Sequence, residues 1–174
     1  MKMSFLRNKT VYLCGNVFGA DDDGKNWRES ISARLTKMGI RVSNPCHKKT
    51  NGSSEIGDDK KKFRKLIVQE KWAEIKEEFW PIIRSDLRSV DKCDFVILNY
   101  FPDVPTIGTV HELVVANFEK KPILLKYDKA KLDQFNPWMC VFIKNHHFFS
   151  EWDELFRYLR EVDKGKKDTS LWVM

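Results

Sequence analysis

The chain has 174 residues, enough for one domain with a sizeable core and too few for two ordinary ones. Hydrophobic content of 42% with 13% aromatics excludes a disordered chain, and no apolar run reaches the roughly 18 residues of a membrane span. The net charge of +6 gathers at Lys48-Lys49, at Lys60-Lys61-Lys62 with Arg64-Lys65, and at Lys164, Lys166 and Lys167. Without aromatic interleaving these clusters read as solvated surface or as contacts for phosphorylated small molecules, and nucleic acid is not an expected partner.

The N-terminus "MKMSFLRNKT" lacks the apolar stretch of a secretory signal, so a cytoplasmic location is expected, with no membrane partner. "KTVYLCG" (9–15) predicts a first strand ending at Gly15. After the polar loop "ADDDGKN", Trp27, Ile31, Leu35 and Met38 recur at helical spacing, and Gly39 is a natural stop. "IRVSNP" predicts a second strand. Residues 46–58 are polar and turn-rich, so a mobile loop is expected. A charged helix follows from Asp59 to Trp80, with Phe63, Ile67, Trp72, Ile75 and Phe79 inward. Pro81 is expected to interrupt it and to start a short helix, "PIIRSDLRSVDKC".

"FVILNY" (95–100) predicts a strand buried on both faces. A helix is expected from Thr109 to Lys120, then strands at "PILLKY" (122–127) and "MCVFIK" (139–144). "SEWDELFRYLREV" predicts a closing amphipathic helix, with Trp152, Leu155, Phe156, Leu159 and Val162 on one face. Residues 164–174 form a tail in which only "LWVM" is expected to dock. Cys14, Cys46, Cys93 and Cys140 show no C-x-x-C spacing and are expected to be buried structural thiols.

The alternation of strand and helix predicts an α/β fold: a single doubly wound, Rossmann-like domain over 1–163 with a five-stranded parallel sheet flanked by helices. In the flavodoxin-like order 2-1-3-4-5, ligands bind at the carboxyl ends of the first and third strands. A site is therefore expected around Cys14-Gly15-Asn16 and Asn99-Tyr100, beside the start of the helix at Thr109.

Carboxylates near that crevice have two readings each. Thr109-Val110-His111-Glu112 fits a capping box, yet a helix start at the crevice would also favour an ionised Glu112, as a nucleophile requires. Asp86 lies four residues from both Ile82 and Val90, so its charge is paired, caps a helix end or faces a ligand cavity. Asp94 precedes the third strand, as a loop residue bonding the backbone or as a substrate contact. Tyr12 is a core aromatic by default. Asp21-Asp22-Asp23 reads as a solvated loop. No metal is expected, because His47, His111, His146 and His147 have no ligand spacing. No G-x-G-x-x-G or P-loop motif occurs, which excludes dinucleotide oxidoreductase and P-loop NTPase readings.

The pieces in order are "VYLCGN", the tryptophan-led "NWRESISARLTKMG", "RSDLRSVDKCDFVILNY", "GTVHEL" and "ANFEKKPILL". Over residues 10–127 this order resembles the nucleoside 2-deoxyribosyltransferases and the related deoxynucleoside 5′-monophosphate N-hydrolases. The resemblance implies that Glu112 is the nucleophile, that Asp86 handles the base and its proton, and that Tyr12 orients Glu112. It implies that Gly15, Asn16, Gly108 and Thr109 line the sugar or its 5′ group, and that Asn136 is given across a dimer interface. It also implies a small-molecule nucleoside or nucleotide substrate, a homodimer or higher oligomer, and no cofactor. Typical transferases carry a further base-contacting aspartate shortly before the nucleophile, where this chain has Thr106, with Asp103 out of register. The lysine-rich segment from Cys46 to Arg64 is a further departure, and one that would reach a 5′-phosphate. Two other readings stand beside this one: a non-catalytic nucleotide-binding module of the same fold, and a nucleic-acid-associated protein using its basic loops.

Overall fold

The apolar run Phe95–Asn99 forms β3 at the centre of a sheet, where burial on both faces leaves no room for polar alternation. A computed structural model of the chain describes residues 4–47, 53–104, 107–167, 169 and 172. The other strands are β1 (Thr10–Gly15), β2 (Arg41–Ser43), β4 (Ile123–Lys126) and β5 (Phe148–Phe149), all parallel in the order β2-β1-β3-β4-β5. β1 and β3 run in register from Val11 opposite Phe95 to Gly15 opposite Asn99. Their carboxyl ends therefore finish side by side at the point where strand order reverses, as expected.

The pleat sorts the strand side chains between two helical layers. Val11, Leu13, Phe95, Ile97 and Leu124 pack against α1 (Lys25–Lys37) and α6 (Trp152–Asp163) through Ile31, Leu35, Leu155, Phe156, Leu159 and Val162. Tyr12, Cys14, Val96, Leu98, Ile123 and Leu125 face α3 (Trp72–Lys92) and α4 (Ile107–Phe118) through Val90, Leu113 and Ala116. Each fully buried Leu, Ile or Phe contributes about 1.5–3 kcal/mol of transfer free energy. α2 (Gly57–Val68) joins a satellite cluster of Phe63, Leu66 and Ile82, in which Phe63 and Phe79 meet edge to face at 4.8 Å.

Three expected elements are corrected. The break between α2 and α3 falls at 69–71, where Glu70 adopts a left-handed φ of 54°, and Pro81 lies inside the unbroken α3. The missing proline amide costs one helical hydrogen bond, but Ile82, Asp86 and Val90 form a buried face that carries the helix through. Because the register resets at Glu70, Ile67 and Trp72 point outward, 46% and 59% exposed. The fifth strand is not 139–144. Asn136 accepts from the Trp138 amide at 3.0 Å and Pro137 opens α5 (Pro137–Val141), so local capping wins over the apolar run. β5 has two residues, too few to show a period in sequence. Cys140 is exposed, while Cys14, Cys46 and Cys93 are buried; all four are free thiols.

The tail does dock where it is described. Trp172 is 4% exposed, packs against Phe5 and Phe95, and donates its indole N–H to the Tyr158 hydroxyl at 3.4 Å. Of the expected mobile loop, residues 48–52 lie outside the described residues, while 45–47 form a 3-10 turn. Among the described residues no helix is long and apolar enough to cross a membrane.

Candidate active site

Tyr12 and Cys14 are two residues apart on β1, so the pleat turns both toward α4. Glu112 reaches back from the helix to meet them. The Tyr12 hydroxyl donates to Glu112 Oε1 at 2.6 Å, and the Cys14 thiol donates to Oε2 at 3.0 Å. The capping-box expectation is corrected here: α4 begins at Ile107, two residues before Thr109. Glu112 therefore lies beyond the first turn, and its oxygens accept from β1 side chains.

A cavity of about 360 Å³ opens over this contact. The carboxyl end of β1 supplies Gly15 and Asn16, followed by Val17 and Phe18. Pro45 and Glu55 come from the β2 side. α3 contributes Phe79, Ile83, Asp86 and Leu87, and the start of α4 contributes Ile107, Gly108, Thr109, His111 and Glu112. Asp86 is 8% exposed. It faces the cavity from the middle of α3, which removes the reading of it as a helix cap. The apolar walls suit a flat ring or a sugar face, and the polar groups converge at one end.

Three carboxylates share this space, and the electrostatics follow from that. Burial first, then the charge of Asp86, pushes Glu112 up to about 7, against the lowering effects of its bonds to Tyr12 and Cys14 and of Arg28. The net direction is upward, whereas the helix start was expected to favour an ionised Glu112. Burial, then Asp86 and Glu112, likewise push Glu55 up to about 7. Burial and the neighbouring Glu112 hold the Tyr12 hydroxyl and the Cys14 thiol well above their ordinary values, so both stay protonated donors.

Beneath the cavity floor lies Arg28, fully buried. Its guanidinium donates to the carbonyls of Leu13, Gly15, Asn16 and Gly24 at 2.7 to 3.3 Å, so a buried charge is satisfied by the loop it organises. Gly24 is needed for this fit: its φ is 67°, and a Cβ there would sit 2.3 Å from the guanidinium. Removing either donor to Glu112 should raise the pH at which its carboxyl titrates. A hydrogen bond to a charged group contributes about 1.5–3 kcal/mol, so Tyr12→Phe is expected to raise that pH by about one unit. Cys14→Ala should do the same to a smaller degree, and Cys14→Ser should restore it. Carbon-13 titration of the labelled Glu112 carboxyl measures the shift, and unchanged titration in both variants would exclude the role.

Of the ten residues singled out from sequence, Tyr12, Asp86, Glu112, Gly15, Asn16, Gly108 and Thr109 meet here. Three do not. Asp94 sits at the opposite end of the sheet, where its Oδ2 accepts from the Thr10 amide at 2.6 Å and Lys9 approaches at 3.6 Å. Asn99 is buried at the end of β3 and is not part of the cavity wall. Asn136 caps α5 and is exposed. Thr106 lies outside the described residues, as do Lys48 and Lys49. Lys60 pairs with Asp23, Lys61 with Asp58 and Lys62 with Glu78, so no described lysine lines the cavity. Sequence reading missed Glu55, Arg28 and the contact of Cys14 with Glu112. Two of these carried a signal: Cys14 shares the strand face of Tyr12, and Arg28 precedes Ile31 and Leu35 at helical spacing. Glu55, in a loop without period, carried none.

A family model described as nucleoside 2-deoxyribosyltransferase matches residues 11–141. No curated protein matches the chain in sequence. Solved structures share its fold. One is a 2-deoxyribosyltransferase from the psychrotolerant bacterium Bacillus psychrosaccharolyticus, at 16% identity and a TM-score of 0.57, over 86% of this chain and 95% of that one. Another is a 2-desoxiribosyltransferase from Leishmania mexicana, at 18% identity and a TM-score of 0.57, over 88% and 97%. A third is a conserved protein from Enterococcus faecalis V583, at 20% identity and a TM-score of 0.59, over 89% and 99%.

Proposed function

The chain belongs to the nucleoside 2-deoxyribosyltransferase family, and from that premise we propose that it cleaves or exchanges the N-glycosidic bond of 2′-deoxynucleosides or their 5′-monophosphates. The observation that carries this reading is the convergence of Glu112, held by Tyr12, and Asp86 on one cavity at the carboxyl end of the sheet.

Glu112 attacks the anomeric carbon and forms a glycosyl ester as the base departs, the double displacement of a retaining glycosidase. The hydroxyl of Tyr12 and the thiol of Cys14 fix the carboxylate's direction and favour its charged form. Asp86, across the cavity, handles the proton of the leaving base as donor or relay. A second base then attacks the ester to complete transfer, or water attacks to complete hydrolysis. Gly15, Asn16, Gly108 and Thr109 surround the sugar, where small side chains and the α4 terminus leave room for its hydroxyls or 5′ group. In this reading Asn136 serves the cavity of a second copy. Its exposed position beside Trp138 and Val141, 74% and 81% exposed, supports that role.

The test is chromatography of free base from a panel of deoxynucleosides and their monophosphates, with and without an acceptor base. Release from at least one substrate is expected. New nucleoside in the presence of acceptor identifies transfer, and its absence identifies hydrolysis. No release from any member of the panel would remove the proposal.

A further inference from the structure

Glu55 plays no part in the chemistry above, yet it lines the same cavity as Asp86 and Glu112. It also borders a smaller recess with Asp86, Pro45 and Ile82. Its segment is anchored on both sides. The amide and hydroxyl of Ser54 both donate to Asp59 Oδ2, at 3.0 and 2.9 Å. Two residues beyond Glu55, the Gly57 amide donates to Asp23 Oδ2 at 3.0 Å. A half-buried carboxyl on an anchored segment thus shares one cavity with two others, and three like charges around one small space cannot all stand ionised. The groups that bear on it are Asp86 from α3, Glu112 from α4 and Arg28 from α1, with His111 at the rim. Burial and the two acids leave Glu55 near half-protonated at neutral pH, the condition in which an acid both keeps and gives a proton readily.

We propose that Glu55 is a second catalytic acid of this cavity, seated against the departing base and carrying the proton that the base takes up. The proposal rests on the N-glycoside reading above. As a Glu112 oxygen bonds to the anomeric carbon, the carbon–nitrogen bond breaks and its electron pair stays with the base. The Glu55 carboxyl gives its proton to a basic ring nitrogen and becomes a carboxylate, and the base leaves neutral. Asp86 is the relay on the same base edge: it takes that proton from Glu55, passes it to the ring nitrogen and ends as the carboxylate it was. When water opens the ester, its oxygen and one hydrogen stay on the sugar, the other proton returns to Glu55, and Glu112 leaves as carboxylate. The substrate class is a deoxynucleoside whose base carries a basic ring nitrogen, of adenine or cytosine type.

Two leaving groups test this. With Glu55→Gln, kcat/KM for deoxyadenosine should fall about 100-fold, whereas 4-nitrophenyl 2-deoxyriboside, whose phenolate departs without a proton, should change less than about threefold. The basic limb of the deoxyadenosine pH profile should also disappear. Glu55→Ala should show the same split, and activity on the nitrophenyl substrate reports that each variant is folded. Equal losses on both substrates, or no loss on either, would overturn the role of Glu55 while base release by the unaltered enzyme left the broader reading standing. No base release by the unaltered enzyme would overturn both.

Discussion

Glu112→Gln should lower base release by about four orders of magnitude or more, because an amide cannot supply the attacking oxygen. Gln is the informative replacement. Its carbonyl still accepts from the Tyr12 hydroxyl, whereas Ala would strand that buried donor and confuse loss of chemistry with loss of fold. Mass spectrometry of acid-quenched protein supplies the second readout. The unaltered enzyme should carry a deoxyribosyl adduct during turnover, located on Glu112, and the variant should carry none. A variant that releases base at the original rate would place the nucleophile elsewhere.

Asp86→Asn should lower kcat/KM about a thousandfold for natural deoxynucleosides, within the range for a lost proton-handling group. It should also move the remaining acid limb to lower pH, since the charge of Asp86 raises both Glu112 and Glu55. The same change has a stability consequence of known sign. Glu112 and Glu55 titrate at about 7 when folded and at about 4.3 when unfolded. Between those values the folded chain keeps protons that the unfolded chain has released. Stability from these groups is therefore full only below about pH 4.3, falls as pH rises from there toward 7, and stays low above it. Asp86→Asn should flatten that fall and raise Tm at pH 8 relative to the unaltered protein. Calorimetry at pH 5.5 and 8 measures it, and an unchanged difference between the two pH values would contradict the three-carboxylate account. More stability with less activity is what a site of crowded like charges should show.

Much of the frame was legible because it rests on short-range patterns. The runs that became β1, β3 and β4 are apolar over several residues, and burial on both faces of a parallel sheet demands that. Their order with the intervening helices predicted the reversal between β1 and β3, and with it the place of the cavity. Asp86 stood out as a charge on an apolar helix face, and the structure places it on the cavity wall. The failures lie where two signals met. At Pro81, at Asn136-Pro137 and at Glu70 local signals competed: a buried helix face outweighed the proline at Pro81, and capping outweighed the apolar run at Asn136-Pro137.

By itself the sequence determined β1 to β4, the reversal between β1 and β3, and most of the side chains that meet at their carboxyl ends, because strand and helix periods act over a few residues. Tertiary structure alone decided that Cys14 joins Tyr12 in holding Glu112, that Glu112 does not cap its own helix, and that Glu55 shares its cavity. Those are contacts between residues far apart in sequence, and the burial that shifts their protons exists only when the layers close over them.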